Sequence, residues 1–190
     1  MNKRYSDDFK SKFRYENGYY LIELRLSSLE QFFNTFDPSP FHDKDIDEDA
    51  EHYIVDTVRA FPIKTKLKLV FYLREEHQKE ASKILLKAIE NYFGYRAMMS
   101  SRELRSLLHE GRIALLMGCV FLVICIGARA ALSFVEKYPL GNILLEGLSI
   151  IGWVAMWKPV HVFLYDWWAV YRMKKVYEKI RDMSIEICID

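Results

Sequence analysis

From Ile113 to Ala128 the chain carries no charged residue, and with Arg129 as the one interruption the apolar stretch continues to Val135. At ~1.5 Å per residue, roughly 23 helical residues cross a ~30 Å hydrocarbon layer. Residues 113–135 are therefore expected to form a first transmembrane helix. The rest of the chain has to be arranged around it. A mean hydropathy of −0.07 hides this segment because it averages two unlike parts, a charged and mixed stretch up to about Arg112 and a charge-poor stretch up to about Trp168.

A second apolar stretch, residues 143–165, follows the turn-forming EKYPLGN, which holds Pro139 and Gly141. It includes Glu146, Lys158 and His161, so a buried soluble helix or a re-entrant segment competes with a second span. The flanking charges favour a span. Lys and Arg are dense before the first stretch (Arg102, Arg105, Arg112) and after the second (Arg172, Lys174, Lys175, Lys179, Arg181), whereas the turn has only Lys137 beside Glu136. The positive-inside rule then places both termini in the cytoplasm.

Charges within a bilayer are costly and tend to be paired or to line water. Arg129 and Glu146 lie about 10 and 7 residues from Pro139, a depth difference of roughly 5 Å on helical rise. They can pair across the hairpin or reach the headgroups separately. Lys158 lies ~24 Å along the second helix from Asn142, within snorkelling reach of the cytoplasmic side. Lys158, His161 and Tyr165 share one helical face at i, i+3, i+7 spacing. Pro159 has no N–H and crowds the Ala155 carbonyl, which predicts a kink. A carbonyl freed at membrane depth needs a partner, which Lys158 or His161 of a neighbouring chain can supply. Trp167 and Trp168, with Tyr165 and Tyr171, suit an interfacial aromatic belt.

The part before the first span reads as α+β. In GYYLIELRLSS, residues 18–28, Tyr20, Ile22, Leu24 and Leu26 alternate with Leu21, Glu23 and Arg25 as in a half-buried strand. A short helix in LEQFFNTF is stopped by Pro38 and Pro40. IKTKLKLVFYL, residues 63–73, alternates Leu67, Leu69 and Phe71 with Lys66, Lys68 and Val70 as a second strand. Between the strands, Ala50, Tyr53, Ile54, Thr57, Val58 and Phe61 trace a helical face, so strand, helix and strand predict a right-handed crossover with a parallel pair. A further helix from Glu75 places Ala81, Ile84, Leu85, Ala88, Ile89 and Tyr92 on one face, and Ser100 with Glu103 fits a capping box for a helix running into the span. Two strands rarely stand alone. Either another strand exists, as in residues 8–16, or the edges pair with another chain, which points to a homo-oligomer.

The fold expected is thus an α+β cytoplasmic domain, a small sheet with amphipathic helices, followed by a two-helix transmembrane hairpin. Its divisions are an N-terminal extension (1–17), the cytoplasmic domain (18–98), a connecting helix (99–112), the spans (113–135 and 143–165) and a basic tail (166–190).

Several chemistries are absent from the sequence. The acidic run HDKDIDEDAEH resembles a calcium loop begun at Asp43 only in part, with Glu48 and Ile54 where Gly and Glu are needed. Asp45 and Glu48 fit a helix capping box better, and His42 and His52 suit surface or capping positions. Cys119, Cys125 and Cys188 form no CxxC and have no zinc spacing. A net charge of +1 provides no field for nucleic acid. The N-terminus lacks a signal-peptide apolar core. No nucleophile elbow, P-loop or dinucleotide fingerprint occurs, so neither catalysis nor a cofactor is expected.

FDPSPF, DEDAEHYIVDTVR and EGLSIIGWVAMWKPVHVFLYDWW together resemble a group of uncharacterised bacterial membrane proteins, over most of the chain from Tyr19 onward. That group's C-terminal motif reads REGL, GWVAMWRP and FLYDWWP. Leu145, Lys158 and Ala169 replace its Arg, Arg and Pro, and Lys158 keeps the basic character. The resemblance implies a bacterial inner-membrane setting and a shared architecture, without chemistry. The function expected is a membrane-anchored interaction or scaffold protein, its partners being the lipid bilayer and a second copy or another membrane protein. The alternative is a small oligomeric channel lined by Arg129, Glu146, Lys158 and His161. Ligand sensing by the cytoplasmic domain is a third reading.

Overall fold

The computed structural model describes residues 10–40, 44–73 and 78–189, with the side chains of 78–82 and 189 left out. His42, Asp43, Glu75, the Ala81 side chain and the first nine residues lie outside the described part. The chain divides into two compact units, Met1–Met99 with Met173–Asp190, and Ser100–Arg172.

The first unit is built on a four-stranded sheet, β1 (Tyr15–Glu16), β2 (Tyr19–Arg25), β3 (Leu67–Leu73) and β4 (Ser184–Ile189), in that spatial order. An Asn17–Gly18 turn joins β1 to β2, both residues having positive φ (52° and 85°), the backbone that suits a two-residue hairpin. The strand expected within residues 8–16 is present as this short β1. β2 and β3 are parallel, Ile22 beside Leu69, as the intervening helix requires. β3 and β4 are also parallel, Leu69 beside Ile185.

The connection from β2 to β3 holds a short 3₁₀ turn, Leu29–Phe32, and α1 (Glu48–Ala60). Phe32 and Phe33 are buried, and a Phe33–Ile46 bridge ties the loop down. Asp47 caps α1, its carboxylate accepting from the N–H groups of Asp49 (3.1 Å) and Ala50 (3.4 Å). This replaces the expected Asp45–Glu48 box. Asp45 is instead used by the FDPSPF turn, donating its N–H to Asp37 at 2.7 Å, while Ser39 N–H gives Asp37 a second bond at 2.9 Å. These N–H donors hold the Asp37 carboxyl below its usual range. The buried face of α1 is Glu51, Ile54, Val55, Thr57 and Val58, with Tyr53 turned outward, so the predicted face is rotated.

α2 (Gln78–Ala131) is one continuous helix, so Ser100 and Glu103 lie within it and cap nothing. Leu85, Ala88, Ile89, Phe93 and Ala97 from its first part enter the core with Ile22, Leu24, Leu69, Phe71, Ile54 and Val58. Of residues 166–190, expected as a basic tail, the part from Met173 onward is built into the first unit. α5 (Trp167–Arg181) puts Val176, Tyr177 and Ile180 into the same core, with Met183 beyond its end, and β4 completes the sheet.

The second unit contains the rest of α2, a 3₁₀ turn (Ser133–Lys137), α3 (Pro139–Val154), α4 (Trp157–His161), a π-helical turn (Val162–Asp166) and the start of α5. Two helices, Lys83–Ala131 and Pro139–Arg181, are long and apolar enough to cross a membrane. Pro139 occupies the first turn of α3, where its missing N–H costs nothing. A Cβ on Gly141 would run into the Val135 carbonyl oxygen, so the reversal admits only glycine there. Farther along, Gly111, Gly118 and Cys125 recur every seven residues on α2 and meet Val162, Ala155 with Met156, and Gly152. A seven-residue period keeps a small-residue seam against the returning segment.

Candidate functional site

The returning segment is irregular where the sequence placed its polar residues. The regular α-helical pattern is interrupted after Val154 and resumes at Trp157, two residues ahead of the buried Pro159, while Ala155 and Met156 keep right-handed helical backbone. Pro159 offers no N–H to Ala155, four residues back. The Ala155 carbonyl oxygen lies 3.1 Å from where a Cβ on Gly118 would sit, so it packs against the bare face of that glycine. An interruption of the α-helical pattern thus lies where the kink is expected, and the Ala155 carbonyl oxygen lies beside Gly118 of the same chain.

The π turn has a chemical consequence. Trp167 N–H donates to the Val162 carbonyl, five residues back. In an α-helix, residues five apart are about 140° apart around the axis, whereas a π turn brings them together. His161 Nδ1 accordingly lies 3.0 Å from Asp166 Oδ1. The His161 ring also lies 5.4 Å from that of Tyr165. The Lys158, His161, Tyr165 stripe is therefore only partly realised. His161 and Tyr165 meet, Asp166 joins them, and Lys158 faces elsewhere.

Lys158 lines a groove of about 900 Å³ with Glu110, Ile113, Ala114, Gly118, Phe121 and Ile124 among its walls. The groove is apolar except at one end, where Glu110 and Lys158 stand. Neither forms an ion pair among the described residues. Gly118 and the interruption at Ala155 make room for it.

At the other end of the hairpin, Arg129 donates to Ser149 Oγ at 2.9 Å, and Ser149 donates to the Leu145 carbonyl at 3.1 Å. Arg129 and Glu146 form no ion pair among the described residues. Trp167 Nε1 donates to the Phe163 carbonyl at 2.8 Å, and the Trp167 and Trp168 rings meet edge to face at 5.6 Å, next to Tyr171. The aromatic cluster is thus formed as a packed group.

The first unit has a polar cluster that sequence reasoning missed. The buried Glu51 carboxylate accepts from Tyr92 Oη at 2.6 Å and from Arg96 at 2.5 Å. The Arg96 guanidinium lies 5.4 Å from the Tyr177 ring centre, and its Nε is buried without a hydrogen-bond partner among the described residues. Burial and the Glu51 carboxylate push the Tyr92 phenol well above its usual range. The signal was available, because Glu51, Ile54, Val55 and Val58 fit one helical face, but Glu51 looked like another first-turn acid. This cluster ties α1, α2 and α5 together. On the sheet face away from the core, Tyr72 donates to Glu23 at 2.7 Å and Lys68 to Glu186 at 2.5 Å. No three His, Cys, Asp or Glu side chains among the described residues are grouped to hold a metal ion.

No protein family, no curated protein and no solved structure matches this chain.

Proposed function

We propose that the protein is a membrane-anchored interaction or scaffold protein of the bacterial inner membrane. A cytoplasmic α+β unit is anchored through a transmembrane hairpin and pairs with a second copy or another membrane protein. The observation that carries this reading is the β3·β4 pairing. β3 precedes both apolar stretches and β4 follows both, yet they are neighbours in one sheet, so the chain between them leaves the membrane on the side it entered. If residues 113–135 cross, the second stretch crosses back.

Side-chain exposure supports the bilayer as the solvent. Leu116 and Val123 on α2 are each 68% exposed, and Leu144 and Trp153 on α3 are 71% and 63% exposed. A helix of a soluble core would hide such residues. The dense Lys and Arg on both flanks support a cytoplasmic sheet unit.

Interaction is favoured over transport by where the polar residues lie. Arg129 is bound to Ser149, His161 to Asp166, and Lys158 lines the groove, so they do not share one path within the chain. β4 pairs on one side only among the described residues, and a free strand edge is a ready template for another chain. The experiment is a mass measurement in detergent combined with cross-linking in cells. A dimer, higher oligomer or captured membrane partner is expected. A monomer that captures nothing contradicts the scaffold role. Ion flux through liposomes that is abolished by Lys158→Ala or Glu146→Gln favours the channel.

A further inference from the structure

We infer that the groove beside Gly118 is a binding site for one phospholipid whose headgroup carries both a phosphate and an ammonium group. The inference rests on the hairpin reading and goes beyond it.

The groove has the length of one leaflet. Its apolar wall runs from Ile113 to Ile124 on α2, about 16 Å at helical rise, and half of a ~30 Å hydrocarbon core is about 15 Å. It is walled by Ala114, Met117, Val120 and Phe121, with Gly118 and Ala155 where bulkier side chains would close it. An acyl chain fits this shape and chemistry.

The charges are ordered as such a headgroup needs. Gly111 packs against Val162 and Gly118 against Ala155, which puts Lys158 at about the level of Leu115, roughly 7 Å deeper than Glu110. In a zwitterionic phospholipid the phosphate lies next to the glycerol and the ammonium lies farther out. The Lys158 ammonium, snorkelling outward, meets the phosphate, and the Glu110 carboxylate meets the ammonium. Neither side chain has an ion-pair partner among the described residues, so both charges can be met by the lipid. A lone lysine would favour any anionic lipid. The additional carboxylate, placed nearer the water, selects for the ammonium.

Native mass spectrometry of the full-length protein, released from nanodiscs of phosphatidylethanolamine and phosphatidylglycerol in equal amounts, tests this. The wild-type protein should retain one phosphatidylethanolamine per chain, at least tenfold in excess of phosphatidylglycerol. Lys158→Ala should reduce retention of both lipids at least tenfold. Glu110→Gln should abolish the preference while leaving phosphate-dependent retention. Ala114→Phe, which fills the groove without removing a charge, should also displace the lipid. Equal retention of both lipids by the wild type, retention unaffected by all three substitutions, or a second protein copy occupying the groove in place of lipid each overturns the inference. Alkaline carbonate extraction of the same samples separates the two failures. A chain released from membranes refutes the hairpin itself, whereas a chain that stays inserted but shows no lipid preference refutes only the lipid site.

Discussion

The Lys68 ammonium donates to the Glu186 carboxylate at 2.5 Å across 118 residues of chain, between neighbouring strands β3 and β4. Both apolar stretches lie between these residues. The pair is on the exposed sheet face and stabilises little by itself, but the strand register beneath it makes the last residues part of the fold.

Removal of residues 184–190 is therefore expected to unfold the first unit. It strips the outer edge of β3 and uncovers Leu69 and Phe71, both fully buried. Limited proteolysis of membrane-inserted protein checks this. Rapid cleavage between residues 44 and 73 is expected, whereas a tail that merely flanked the membrane would be lost without consequence.

Glu51→Ala leaves the Tyr92 hydroxyl and the Arg96 guanidinium without their shared acceptor. Orphaned polar groups of this kind cost on the order of 1–3 kcal/mol, with Arg96 at the lower end because it is partly exposed. The denaturant midpoint should fall accordingly. Glu51→Leu combined with Arg96→Met and Tyr92→Phe should recover most of the loss, because apolar replacement of all members of a buried polar cluster is often neutral.

The hairpin seam makes a graded prediction. Gly118→Val places a branched side chain where a Cβ already meets Met156 Sδ at 3.0 Å and the Ala155 carbonyl at 3.1 Å. Gly127→Ala and Gly147→Ala add a methyl group where nothing lies within 4 Å. Thermal scanning in detergent should show a marked drop for Gly118→Val and for Gly141→Ala, and near-wild-type melting for the other two.

Lys179 on α5 is pushed down by burial from 10.5 to about 8. Between these values the unfolded chain holds a proton that the folded chain has released, so stability rises with pH across the window. Below about pH 8 the cost of burying the ammonium is fully present. Lys179→Met should therefore raise the melting temperature at pH 7 and flatten its rise from pH 8 to 9.5. Tyr72 and Tyr92, whose phenols are held protonated above their ordinary value of 10.0, act in the opposite direction only at higher pH.

The parts of the fold with a simple period were legible. Ile22 and Leu24 on β2 and Leu67, Leu69 and Phe71 on β3 are buried as alternation predicts. Leu85, Ala88 and Ile89 are buried as the helical period predicts. In the C-terminal segment the Lys174, Lys175, Lys179 and Arg181 charges suit a membrane flank, and they mask a second pattern. The Met173, Val176, Tyr177, Ile180 stripe between them has amphipathic spacing, and SIEICI alternates like a strand. In the candidate site, Pro159 announced the interruption, because a missing N–H is local. The His161–Asp166 pair was hidden, because a π turn changes which residues share a face and the sequence was read at α-helical spacing. Glu110 was hidden for another reason. It belongs to the groove through the packing of two helices, which spacing along one helix does not reveal.

Thiol labelling of single-cysteine variants in intact cells tests the hairpin most directly. With Cys119, Cys125 and Cys188 replaced by Ala, a membrane-impermeant maleimide should label Lys137→Cys, in the turn, from the outside. It should label Glu16→Cys and Ser184→Cys only after lysis. Labelling of Glu16→Cys and Ser184→Cys from opposite sides, or of Lys137→Cys only together with them, would contradict the account.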